Sequence, residues 1–167
     1  MKHVILQEPL LLNSRVEVSI ATPTNSFLRE LYPIFNRDTS RFNIVILILK
    51  MENDIMEIQG DQQIERDSIL DDLMQMGILF KQELNEKGYF IDYIDPVSGL
   101  ALHSNTNEVY ADATGCERIL KMDTVTVGCC KLISHKKWST NIYPFTLFTT
   151  APAHIILEFL QKHYTDK

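Results

Sequence analysis

The sequence predicts an α+β fold, a mostly antiparallel sheet with helices packed against one face. Three observations predict it. Residues 15–21 alternate polar and apolar, with Val16, Val18 and Ile20 on one side, the pattern of a strand with one wet face. Residues 42–51 are apolar on both faces and rich in β-branched side chains, as a central strand must be. Between 61 and 87, Ile69, Leu73, Met76, Phe80 and Leu84 recur at steps of four, three, four and four, one apolar stripe along a helix.

The remaining elements follow in order. Residues 3–12 are apolar without a clear period, and 1–14 reads as an N-terminal arm or edge segment of a single domain covering 1–167. Thr24 and its polar neighbours offer caps for a short helix over 27–32, stopped by Pro33. Residues 36–40 form a loop. Glu52-Asn53-Asp54 is a turn signal, and Ile55, Met56 and Ile58 read as the returning strand of a hairpin. The long helix begins at Asp61 or Asp67 and ends at Lys87-Gly88, glycine supplying the left-handed cap. Leu70, Met74 and Ile78 widen its stripe. Gly77 inside it costs about 1 kcal/mol relative to alanine and marks close backbone packing. Residues 89–94 form a strand, 95–99 a turn, 100–103 an extended segment, 108–110 a short strand and 113–121 a short helix. Residues 123–134 read as one strand, followed by a tight turn at 135–138 and an antiparallel strand at 141–149. Ala151-Pro152 opens a last helix carrying Ile155, Ile156, Phe159 and Leu160.

Composition narrows the function classes. The 167 residues carry 16 Lys and Arg against 22 Asp and Glu, a net charge of −6 with a pI near 5.3. That balance argues against nucleic acid or an anionic membrane as the main partner. Three cysteines, an odd number, fit reduced thiols in a cytosol-like compartment rather than a secreted disulfide framework. The N-terminus has neither a signal-peptide run nor an Arg-rich transit pattern, so a cytoplasmic location is expected. The apolar run 44–49 is far short of a membrane span.

The chemistry concentrates at Cys129-Cys130. A thiolate is a soft ligand and a strong nucleophile, and Lys131, His135, Lys136 and Lys137 bring positive charge close by. On a single strand the two thiols project to opposite faces, with Lys131 on the Cys129 side. One is then free to meet solvent while the other is a small core hydrophobe. A zinc site would need Cys116, His135 and His154 to converge without a C-x₂–₄-C loop. A Cys129–His135 nucleophile fails on distance, since six strand residues span about 20 Å. A vicinal disulfide would strain the intervening peptide. Asp92 and Asp95 read as turn chemistry, and the acidic face of the long helix as a solvated face. No glycine-rich phosphate loop, G-x-S-x-G or H-E-x-x-H motif occurs.

Two blocks together carry a resemblance: 88–101, Gly-Tyr-Phe-Ile-Asp-Tyr-Ile-Asp-Pro-Val-Ser-Gly-Leu-Ala, and 127–138, Val-Gly-Cys-Cys-Lys-Leu-Ile-Ser-His-Lys-Lys-Trp. With the tail 148–155 they resemble the CblD family of cobalamin-trafficking proteins, specifically over 88–155 and more loosely over 15–87. The resemblance implies a nitroreductase-like fold without a flavin site, and no enzymatic activity. It implies an adaptor that docks on a CblC-type partner and directs cobalamin towards methionine synthase or methylmalonyl-CoA mutase. In that family the first cysteine of the pair is the proposed ligand to the cobalt of cob(II)alamin. Here that is Cys129, with Cys130 structural or a secondary thiol. A flavin-dependent oxidoreductase of the same fold class is the alternative, though no basic cluster for a flavin phosphate is evident. Two departures stand out. Family members with a mitochondrial destination carry a long N-terminal extension, whereas this chain begins near the fold, so the cytoplasmic branch is expected. Ser139 stands where the family has glycine after the tryptophan, which predicts an altered turn.

Overall fold

The elements run β1 (Val4–Leu11), β2 (Val16–Thr22), α1 (Asn25–Glu30), α2 (Tyr32–Phe35), β3 (Asn43–Lys50), α3 (Gly60–Glu86), β4 (Ile91–Tyr93), α4 (Asp112–Arg118), β5 (Asp123–Val127), β6 (Cys130–Ser134), β7 (Ile142–Thr149) and α5 (Ala153–Thr165). They are taken from a computed structural model that describes residues 2–53 and 60–165. Five strands form one sheet in the order β1-β2-β3-β7-β4, and β5 and β6 form a separate pair. Every pairing is antiparallel, in keeping with an α+β fold. The predicted returning strand at Ile55, Met56 and Ile58 lies outside the described residues.

A strand apolar on both faces needs a cover on both, and β3 has one. On one side Val45, Leu47 and Leu49 pack with the α3 stripe Ile69, Leu73, Met76, Phe80 and Leu84 and with Ile156, Phe159 and Leu160 of α5. Phe80 and Phe159 stack at 4.2 Å where the two helices meet. On the other side Ile44, Ile46 and Ile48 pack with α1, α2, Cys116 of α4 and Ile133 of β6. The helices therefore flank both faces, not the single face expected.

The same second layer changes β2. Its alternation predicted a wet face, yet Glu17 and Ser19 are buried as well as Val16, Val18 and Ile20. Pro33 does not stop a helix. It sits in the first turn of α2, where a missing N–H costs nothing. Ile78, assigned to the α3 stripe, is instead 61% exposed. Pro144 lies inside β7, opposite Ile48 of β3, while β4 pairs only with residues 147–149. The proline thus occupies a stretch where β7 is locally an edge, the tolerated place for a residue without an N–H.

Candidate functional site

Residues 123–134 are not one strand. They fold back on themselves, and Val127 pairs with Cys130 across a two-residue loop made of Gly128 and Cys129. Gly128 has φ +60 while Cys129 keeps a negative φ, the type II′ pattern with glycine at the first central position. The hairpin alters the faces. Val125 lies opposite Leu132 and Val127 opposite Cys130 on one side, with Thr126–Lys131 and Thr124–Ile133 on the other. Ile133 is buried in the core, so the Cys130 side is the outer side.

Both thiols are consequently exposed, and the expected division into one free and one core thiol does not hold within the pair. Cys129 caps the tip, and Cys130 begins the outgoing strand. The buried thiol is Cys116 on α4, which burial pushes up to about 12. At neutral pH it stays protonated and inert. Lys131, expected on the Cys129 side, is engaged by α4. Its ammonium lies 2.6 and 2.7 Å from the two carboxylate oxygens of Glu117 on α4. That pair ties the hairpin to the helix and engages the nearest lysine elsewhere.

The three residues weighed for zinc do not meet: Cys116 and His135 are buried, whereas His154 is exposed on α5. Among the described residues no group of three or more metal-ligating side chains comes together. His135 has a structural task. Its Nδ1 accepts from the backbone N–H groups of Lys137 and Trp138, at 3.1 and 3.3 Å. The network therefore assigns the proton to Nε2, which donates to Glu17 Oε1 at 2.9 Å. The ring also stacks on Trp138 at 4.5 Å. Ser139 closes this turn with φ +52, so the serine adopts the left-handed conformation in which glycine would be more at ease.

Asp95 behaves as expected of a turn residue, its carboxylate accepting from Val97 N–H and Ser98 Oγ. Asp92 does more. It is fully buried and accepts from the N–H groups of Tyr93 and His103 and from Ser104 Oγ, which fixes the segment after the turn.

Sequence reasoning missed Glu17 and Asp112. Glu17 read as an outward residue of an alternating strand, and nothing local says otherwise. Asp112, the first residue of α4, retains some surface, but its carboxyl group is enclosed and accepts from Thr146 Oγ1 at 2.5 Å. Burial pushes it up to about 7, against the lowering effect of Thr146 and with help from the charge of Asp95. The sign follows from linkage. Between the unfolded carboxyl pKa near about 3.9 and 7, the folded state holds the proton more tightly, so this group's contribution falls as pH rises through that window. Asp112→Asn, keeping the Thr146 contact, is expected to raise stability at pH 8 by about 1–3 kcal/mol and to leave it little changed at pH 4. Urea unfolding at both pH values checks it; an equal gain at both would sink the assignment.

A family model described as methylmalonic aciduria and homocystinuria type D protein matches residues 2–161. A cobalamin trafficking protein CblD from Rattus norvegicus is 30% identical over 148 residues, covering 86% of this chain and 50% of the relative. The protein of the same description from Homo sapiens is 28% identical over 141 residues, covering 83% and 48%. The chain thus spans about half the length of these relatives.

Proposed function

Because the chain belongs to the methylmalonic aciduria and homocystinuria type D protein family, we propose that it is a non-enzymatic adaptor in intracellular cobalamin trafficking. In this reading it works in the cytosol and docks on a CblC-type partner that carries cob(II)alamin. Cys129 loses its proton and offers its thiolate to the cobalt of that cargo, a soft donor for a transition metal. Cys130 is the secondary thiol. The flavin-free nitroreductase-like fold and delivery towards methionine synthase or methylmalonyl-CoA mutase belong to the same proposal.

The observation that supports it is the location of Cys129 at the exposed tip of a glycine-turned hairpin. A thiol there reaches a metal held by another protein without any rearrangement of the core. The hairpin is separate from the main sheet, and its inner face is anchored through Ile133, while the Lys131–Glu117 pair ties it to α4.

The test uses a CblC-type partner loaded with cob(II)alamin. Addition of this protein is expected to produce the optical and EPR signature of thiolate–cobalt ligation. Cys129→Ser should abolish it, and Cys130→Ser should keep it. Both side chains are exposed, so neither substitution should disturb folding, and circular dichroism verifies that. Loss of the signal only in Cys130→Ser would transfer the role to the second thiol. Its survival in both variants would end the proposal of a protein thiolate ligand.

A further inference from the structure

The free edge of β7 borders a cavity that the thiol chemistry does not use. It measures about 370 Å³ and lies between α3, the turn after β4, and the stretch of β7 around Pro144 that β4 leaves unpaired. Leu70, Val97, Ile142 and Pro144 give it apolar walls, while Arg66, Tyr143 and Asp112 bring polar groups to it.

Arg66 is half-buried and has no hydrogen-bond or ion-pair partner among the described residues. Its Nε is shielded from water as well. A guanidinium partly withdrawn from water without a counter-ion is uncompensated, and an anion on its outer nitrogens would relieve it. The hydroxyl of Tyr143 likewise has no hydrogen-bond partner among the described residues. Burial pushes that phenol up to about 12; the charges of Asp112, Asp95 and Asp67 add to the rise, and Arg66 opposes it. One hydroxyl thus feels both the cation of α3 and the acid of α4. The enclosed Asp112 carboxyl accepts from Thr146 Oγ1 and keeps its proton up to about 7. Below that pH the cavity offers one cation and two O–H groups among apolar walls.

The neighbouring charges limit the ligand class. Asp67 also lines the cavity, although it is exposed and its Oδ1 accepts from Gln63 Nε2 at 2.7 Å. Asp95 is engaged by its own turn, and Lys131 of β6 by Glu117. Tyr110 and Cys116 also face Asp112, and burial keeps both neutral. A doubly charged anion would meet net repulsion here, whereas a single carboxylate matches the one unpaired guanidinium.

We propose that this cavity binds a small aliphatic monocarboxylate, with its carboxylate on Arg66, Tyr143 and the Asp112 carboxyl group and its chain along Leu70 and Val97. The bound anion holds the proton on Asp112, so affinity falls as pH rises through the range in which free Asp112 ionises. The site is separate from Cys129 and Cys130 and does not depend on their meeting cobalt.

Amide NMR titrations of the whole chain with hexanoate, hexanamide and hexylammonium, matched in chain length, test it. At pH 6 hexanoate should shift the Arg66, Val97, Asp112 and Tyr143 signals saturably. It should bind at least about tenfold more tightly than the amide or the amine. Arg66→Met should lower hexanoate affinity about tenfold with an unchanged circular dichroism spectrum, and Arg66→Lys should lower it less, because the charge remains. Wild-type affinity should drop about tenfold from pH 6 to pH 8 through the one proton that Asp112 takes up, and Asp112→Asn should remove that dependence. The proposal is overturned by the absence of saturable shifts at these residues or by equal binding of hexanamide. Indifference to Arg66→Met, or a wild-type affinity equal at both pH values, overturns it as well.

Discussion

Replacing Glu17 by leucine is expected to destabilise the protein by about 2–4 kcal/mol, because it leaves the Nε2–H of His135 buried without an acceptor. Glu17 and His135 stand 118 positions apart in the chain, and their 2.9 Å contact joins β2 of the main sheet to the turn that follows β6. The imidazole has no spare alternative. Two backbone N–H groups occupy Nδ1, and Trp138 covers a ring face. Glu17→Gln keeps an acceptor oxygen of the same reach and should cost much less. His135→Ala should resemble Glu17→Leu, with the additional loss of the Trp138 stack. Urea unfolding ranks the three variants. Amide exchange should localise the damage, with β5 and β6 opening more readily while the buried stripe of α3 stays protected. Equal stability of the leucine and glutamine variants would show that the hydrogen bond does not matter to the fold.

The second large effect concerns Gly77. Helix propensity alone predicts that Gly77→Ala stabilises α3 by about 1 kcal/mol. The packing predicts the opposite. A Cβ at this position would sit 2.7 and 2.8 Å from Cζ and Cε1 of Tyr93, well inside contact distance. Tyr93 is only 2% exposed, lies on β4, and is braced by His103 at 5.1 Å and Phe145 at 5.8 Å. The ring has nowhere to retreat, so the sheet and helix must part. Overpacking of this kind costs about 1–3 kcal/mol and should outweigh the propensity gain. Tyr93→Leu in the same chain should recover most of the loss, giving a coupling that a double-mutant cycle reads directly. If Gly77→Ala raises the unfolding midpoint on its own, the close approach of α3 to β4 is not as drawn.

Gly77 also marks how far the sequence could be read. Its place inside a helical pattern pointed to a close contact, and the contact exists; only the structure names Tyr93 as the other side. The buried stripe Ile69, Leu73, Met76, Phe80 and Leu84 was legible residue by residue, as was the centrality of β3. Cys129-Cys130 was legible as the chemical focus of the chain. Its presentation was not, because Gly128-Cys129 is a less common turn pair than Asn-Gly, and flanking β-formers made 123–134 look continuous. Reading the hairpin as a strand misassigned one thiol of the pair to the core and left the Lys131–Glu117 pair unseen.

What the sequence determined by itself were the properties written in local period and composition: the central strand β3, the long helix α3 with its apolar face, and the adjacent cysteines at 129 and 130. Those follow from repeats of 3.6 and 2 residues, which a linear chain displays directly. Only the tertiary structure decided that both sheet faces are covered, that Glu17 faces His135, that Cys116 is the sealed thiol, and that Cys129 stands at a tip. The first three depend on partners distant in the chain, and the last on a local turn that flanking β-formers concealed. Burial and charge pairing are properties of what arrives opposite a residue, and no local pattern encodes that.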